Sequence, residues 1–425
     1  MKRILSLLAL IVSVAVYSQN VPDNFLSRRM RELPQRANTN VHNYEFPPLY
    51  DTPAPKGYKP FYISHYGRHG ARTNSDGHEL VRFENSLLAA DAAGALTEDG
   101  QYILGVTREL VKRHRGMNGR LTDHGRLEHS KLAERMYKRY PAVFRKGSRK
   151  INVVSSTVPR CLVSMAAFTN KLVSLQKDLD FDIDTGENYM KYISRAADST
   201  LKEAGRKVYD SLRRDTKIDS LAVLTIILKN PADCRKYFQS GKKAFLDLYS
   251  AAKSADALDI EDNLYRFLPE DYVYSRMEAT CMYIYVSQSN SELFGDRRLP
   301  RAKRLVDDII TRADKAIEGG EPCADLRFGH DWPFVGLVSY LGLEGVSRRM
   351  DLETARNNWD ASLYTPFAAN LQIVFYRAKG KDILVKFLMN EKETLIPELT
   401  AVQGPYYRWE DVKAMCEKPV SERFN

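Results

Sequence analysis

The sequence predicts an α/β protein, and three observations carry that expectation. Short β-branched or aromatic runs at residues 61–63, 150–155 and 324–328 are each followed by a polar loop and then by apolar residues at helical spacing. The length, 425 residues, is enough for a large core. The composition, 44% hydrophobic and 28% charged, is that of a globular chain, neither disordered nor membrane-embedded.

The first segment stands apart. Lys2 and Arg3 precede an apolar run over residues 4–16, and the small residue Ser18 follows, the pattern of a secretory signal peptide over 1–18. The run is shorter than the ~20 residues that cross a bilayer. Export is therefore expected, to the periplasm or the medium, without a membrane anchor.

A Pro-rich lead over residues 46–59 is too irregular for a regular element. The run 61–63 predicts a buried strand, and Leu80, Phe83 and Leu87 a helix after it. A second helix holds Tyr102, Ile103, Val106 and Leu110. A third starts at "LTDHG" with Thr122 as N-cap and stops at Pro141. "KINVVS", 150–155, is a strand, and Pro159 suits the first turn of a helix carrying Leu162, Met165 and Phe168. Residues 175–290 lose the strand signal and predict helices. An amphipathic helix over 299–317 precedes the strand 324–328, and Pro333 opens another helix. "LQIVFYRAKGKDILVKFL" predicts a hairpin, and the residues after Lys418 a loose tail.

Several chemistries find no support. The five cysteines are too few and scattered for a disulfide scaffold, and none forms a CxxC pair. There is no HExxH, and His124 and His129 stand five apart, on different faces of a helix, so no metal is expected. "SGKKA" lacks the upstream glycine of a phosphate loop, and the basic run 112–120 fits a solvated helix end. His65 and His78 are expected as loop histidines. The net charge of +10, lowered by two if Lys2 and Arg3 leave with the leader, favours anionic partners.

What remains is a crowd of cations at strand ends. The first strand delivers Arg68, His69 and Arg72, the second Arg160, the third His330 and Asp331. Ligands of open α/β sheets bind at the carboxyl ends of strands, so these loops are expected to converge although far apart in sequence. Arg160 lies in the first turn of its helix, where free N–H groups attract anions. Guanidinium groups bond two oxygens at once, and three of them match a phosphoryl group. His69 is placed to attack phosphorus, and Asp331 to protonate an alkoxide leaving group.

These residues also carry a resemblance. "RHGARTNS" is similar to the RHGxRxPT signature of the histidine acid phosphatases, which include phytases, glucose-1-phosphatases and multiple inositol polyphosphate phosphatases. "LTDHGRLEHSKLAERMYKRY" resembles that family's LTxxG segment, "VVSSTVPRCLVSMAAF" the segment bearing its third clamp arginine, and "FGHD" its HD motif. The resemblance implies that His69 is the nucleophile, that Arg68, Arg72, Arg160 and His330 bind phosphate, and that Asp331 donates the proton. It implies a phosphoglycerate-mutase-like three-layer α/β/α core, over 19–174 and 299–425, interrupted by a smaller helical domain over 175–298, without metal or cofactor. Asn74 and Ser75 replace the family's Pro and Thr, and Trp332 follows Asp331, which is expected to narrow the leaving-group side.

The expectation is an exported phosphomonoesterase acting on a small polyanionic ester, phytate or another inositol polyphosphate, with no nucleic-acid or membrane partner. A broad-specificity acid phosphatase or a sugar-phosphate phosphatase is the nearest alternative. A polyanion-binding protein without turnover and a mutase-type phosphotransferase stand further off, the latter disfavoured by the leader.

Overall fold

The computed structural model describes residues 21–194, 198–214 and 218–424. The leader expected over 1–18 lies outside them. The architecture is a three-layer α/β/α sandwich around one eight-stranded sheet, in the order β3-β2-β4-β1-β5-β6-β7 with β8 pairing β6. Strands β1 (Lys59–Arg68), β2 (Lys150–Ser155), β3 (Asp180–Thr185) and β4 (Ala324–Gly329) run parallel. Strands β5 (Asn370–Arg377), β6 (Leu384–Met389), β7 (Lys392–Thr394) and β8 (Tyr407–Arg408) continue the sheet antiparallel, beginning where β5 pairs β1. The carboxyl ends of β1, β2 and β4 therefore share one edge, the condition for their loops to meet.

Alternation along the strands builds both cores. Ile63, Val153, Leu326, Phe328 and Val374 face Leu132, Met136, Phe168 and Leu172 of two helices. Tyr62, Tyr66, Leu371, Ile373 and Phe375 face the other layer. The helices include, in chain order, α1 (His78–Ala92), α2 (Glu98–His114), α3 (Asp123–Arg139), α4 (Pro159–Leu175), α5 (Ser199–Arg214), α6 (Ser220–Ile227), α7 (Gly241–Ala255), α8 (Glu270–Gln288), α9 (Lys303–Gly319) and α10 (Asp331–Tyr340). Helices α3 and α4 cover the first face, α9 and α10 the second. Helices α6 and α7 pack on α1 and α2, and α8 on α5.

One buried cation is fully provided for. The Lys386 side chain, on β6, has no exposure, and its ammonium lies 2.9 Å from Glu393, against Asp51 and 3.3 Å from the Tyr406 hydroxyl. The rings of Tyr140, Tyr376 and Tyr406 surround it at 5.9, 5.7 and 5.1 Å.

The structure departs from the sequence reading in three places. The segment expected as helical from 175 onwards begins with β3, an edge strand pairing β2, whose side chains are mostly exposed although Phe181 and Ile183 alternate with Asp180, Asp182 and Asp184 in the period-two pattern of a strand. The helix expected over 299–317 starts at Lys303, residues Leu299–Ala302 forming a 3-10 turn around Pro300. The tail after Lys418 is not loose: Val420 is buried, and the Arg423 guanidinium, also buried, lies 3.0 Å from Glu398.

Candidate active site

Backbone hydrogen bonds lock the three loops together just beyond the sheet. Arg68, the last residue of β1, donates its N–H to Ala369 O at 2.8 Å, and His69 donates to Gly329 O at 3.0 Å. Ser156, following β2, donates to Phe328 O at 2.9 Å. His330 is the N-cap residue of α10, whose first residue is Asp331. Arg160 is the second residue of α4, after Pro159. The rings of His69 and His330 meet edge to face with centroids 5.6 Å apart.

His69 is buried and its Nδ1 lies 3.0 Å from Gly70 O. A carbonyl only accepts, so Nδ1 carries the hydrogen and Nε2 holds a lone pair. Burial, then the nearby charges of Arg68 and Arg160, push the proton affinity of the ring well below the ordinary histidine range. The imidazole is therefore neutral at rest. His330 presents Nε2 to the Ser156 hydroxyl at 3.0 Å, with Cys161 Sγ 3.6 Å away.

Arg68 is buried over the Phe367 ring, its guanidinium carbon 5.1 Å from the centroid. Its Nη1 donates to Thr365 O at 2.8 Å and to Asn40 O, and its Nη2 reaches Asp331 Oδ2 at 3.4 Å. Arg72 donates to Thr73 O at 2.8 Å, and its backbone bridges to Leu121. Half-buried Arg160 has no carboxylate partner among the described residues. Asp331 Oδ2 also accepts from Asn40 Nδ2 at 2.9 Å, and Oδ1 from Trp332 N at 3.0 Å.

The loop after His69 is held by the start of α3. Thr122 caps that helix, accepting from Gly125 N, and donates its own N–H to Ala71 O at 2.9 Å. A Cβ on Gly70 would lie 2.5 Å from Gly125 O, and one on Gly125 would lie 2.3 Å from Ala71 O, so both positions need glycine for close approach. The Glu128 carboxylate, fully buried, accepts from Ala71 N at 2.7 Å and Tyr44 N at 2.8 Å.

Of the residues singled out from the sequence, the structure brings Arg68, His69, Arg160, His330 and Asp331 together, while the Arg72 side chain lines the adjoining cavity. The structure adds Asn40 and Glu128. Glu128 left a signal, because it stands four residues before the buried Leu132 on the same face of α3. Asn40 left none. Two minor expectations are corrected. His65 lies within β1, its ring packed between Phe168 and Phe328, while His78 opens α1 in solvent. Trp332 is buried against Tyr283 and does not line the cavity beside the site, whereas Asn74 lines it and donates to Ser254 Oγ on α7 at 2.9 Å.

That cavity, about 640 Å³, is lined by Arg72 and Phe367 and, from α5, α7 and α8, by Arg213, Lys253 and Arg276. Phe367 joins it to the strand ends, its ring 6.0 Å from that of His69. Burial, with Arg276 and Arg72 nearby, lowers the proton affinity of Lys253. Arg276 is held by the hydroxyls of Tyr209 at 3.1 Å and Tyr272 at 2.7 Å. Neither Lys253 nor Arg276 forms an ion pair among the described residues, and the acidic lining is Asp76 and Glu79. Among those residues no cluster of His, Cys, Asp or Glu could hold a metal ion, and no helix is long and apolar enough to cross a membrane.

A neutral imidazole beside Arg68 and Arg160 at the carboxyl edge of an α/β sheet is chemically suited to a phosphoryl group. A model of the histidine phosphatase superfamily, branch 2, matches residues 67–390, and the chain belongs to that family of phosphomonoesterases. Among solved structures, it is similar to the multiple inositol polyphosphate phosphatase of Bifidobacterium longum in complex with inositol hexasulfate. The two share 19% identity over 92% of this chain and 100% of that one, with a TM-score of 0.68. The phytase from D. castellii superposes with a TM-score of 0.64 at 13% identity, covering 92% of this chain and 85% of that one. These likenesses show the fold. No curated protein sequence matches the chain.

Proposed function

We propose that the protein is an exported phosphomonoesterase that works through a phosphohistidine on His69, without a metal, and that its substrate is phytate or another inositol polyphosphate. The observation that carries the mechanism is the anchored ring: Gly70 O fixes Nδ1–H, which leaves Nε2 as the attacking atom among Arg68 and Arg160. In the first step the Nε2–P bond forms and the P–O bond to the leaving group breaks, the departing oxygen taking the Asp331 proton. In the second, water attacks phosphorus, the N–P bond breaks, inorganic phosphate leaves and the water's proton returns to Asp331. Arg68, Arg72 and Arg160 with His330 hold the three non-bridging oxygens as charge shifts.

The substrate reading is supported by the cavity. Arg213, Lys253 and Arg276 supply more positive charge than one phosphate requires, and the fold neighbours include proteins named for inositol polyphosphates and phytate. The inserted substrate-facing domain expected over 175–298 supplies these cations in this reading, and it begins after β3, which belongs to the central sheet.

The test of the nucleophile is direct. After brief incubation with 32P-labelled substrate and quenching in alkali, wild-type protein should retain acid-labile label and His69→Ala none, with turnover down at least about 10^4-fold. Label of equal amount on the His69→Ala variant would sink the assignment.

A further inference from the structure

Residues 38–44 cross the carboxyl edge of the sheet as a strap pinned along its length. Buried Asn38 accepts from the Tyr265 hydroxyl. The His42 ring sits between Asp256 and Glu45, 3.0 Å from each, and His42 O accepts from Phe367 N at 2.8 Å. Asn43 donates twice to Asp256, at 3.0 Å from its backbone and 2.8 Å from its amide. Tyr44 N is held by Glu128. Between these pins Thr39 adopts φ 57° and ψ −120°, a backbone state that a β-branched residue keeps only where its surroundings impose it.

The outcome of that turn is Asn40, which touches two residues of the site at once. Its carbonyl accepts from Arg68 Nη1 and its Nδ2 lies 2.9 Å from Asp331 Oδ2. A carboxylate offers only acceptors, so the amide presents its NH2 to it. Oδ2 is then shared by two donors, Asn40 Nδ2 and Arg68 Nη2.

We propose that Asn40 is a positioning residue for the proton donor: by filling Oδ2 it confines the transferable proton to Oδ1 and lowers the proton affinity of the Asp331 carboxyl. The proposal rests on the reading of Asp331 as the donor. Titratable and charged groups that face Asp331 include Tyr66 and Arg68 from β1 and Cys161 from α4, with its chain neighbour His330 beside it. Arg68 favours the ionised carboxylate through charge. Asn40 favours it through an uncharged N–H, so its share is removed without altering the net charge.

Activity on an alkyl ester is lost as pH rises through the ionisation of Asp331, so a higher proton affinity moves that limb to higher pH. For Asn40→Ala the alkaline limb of kcat/KM on an alkyl phosphate should move up by roughly half a pH unit or more. Asn40→Asp, of equal size but placing a like charge beside Asp331, should move it further. On p-nitrophenyl phosphate, whose leaving group needs no proton, neither variant should move the limb. The limb position does not depend on how much of a variant is folded. Both variants keeping the wild-type limb on the alkyl ester would overturn the proposal. Asp331→Asn, measured on the same two esters, separates the two layers. Equal losses on both would overturn the donor reading itself. A selective loss on the alkyl ester, with unmoved limbs in the Asn40 variants, would overturn the role of Asn40 alone.

Discussion

Lys386 and Arg160 are both cations set into the same sheet-centred core, and their surroundings are opposite. The ammonium of Lys386 is met by two carboxylates, a hydroxyl and three aromatic faces. Arg160 has no carboxylate partner and stands beside a neutral His69, while Arg68 shares a single carboxylate at 3.4 Å with Asn40. A desolvated charge without its counter-charge costs stability. The contrast separates charge that holds the fold from charge that waits for a ligand.

Substitution should therefore act oppositely in the two places, and this is the largest effect expected. Arg160→Met should lower kcat about 10^2- to 10^3-fold while leaving the urea unfolding midpoint equal to or above that of wild type. Lys386→Met should strand Asp51 and Glu393 and cost about 3–5 kcal/mol of stability, with kcat of the folded protein unchanged. Equal destabilisation by both would erase the distinction.

The same imbalance is readable in acid. His65 and His129 are buried with proton affinities pressed down to about 3, by desolvation above all, and His69 lies well below the ordinary range. Below pH 6.5 the unfolded chain takes up protons at these rings that the native protein refuses, so stability falls with pH, by about 1.4 kcal/mol per pH unit for each ring. His42 acts in the other direction. Desolvation opposes its charge, but Asp256 and Glu45 outweigh that and raise it to about 9; its stabilisation is full below pH 6.5 and lost as pH rises through 9. Urea midpoints measured from pH 7 down to 4 should fall steeply, and His65→Phe, which keeps the ring packing against Phe168 and Phe328, should flatten that fall. An unchanged slope would contradict the buried neutral ring.

The smallest effect sharpens the boundary of the waiting charge. Lys253→Met should raise KM for phytate roughly tenfold and leave p-nitrophenyl phosphate unaffected, since about 1.4 kcal/mol is the scale of one charge-assisted contact. Equal changes for both esters would place Lys253 outside the substrate's reach.

Much of the candidate site was legible in the sequence because each piece is local: an apolar run ends, a polar loop follows, and the topology of parallel strands brings the ends together. Arg68, His69, Arg160 and His330 were all reached in that way. Asn40 was not, because its place depends on a non-helical turn at Thr39 and on partners 28 and 291 residues away. Lys253 and Arg276 were hidden differently, as single cations on charged helices whose packing alone turns them into the cavity. Strand β3 escaped although Phe181 and Ile183 keep period two, because its three aspartates are poor strand formers and, at a solvent-facing edge, it has no apolar run like those of the other parallel strands.

The glycines at 70 and 125 bear on how such proteins are recognised. A Cβ on Gly70 would collide with the backbone of Gly125, and one on Gly125 with the backbone of Ala71, which no repacking of side chains relieves. A substitution at one therefore has no compensating substitution at the other. "RHGAR" and "LTDHG" are two halves of a single contact, and their joint occurrence is one physical constraint seen twice, so multiplying their separate odds overstates the statistical independence of the two motifs.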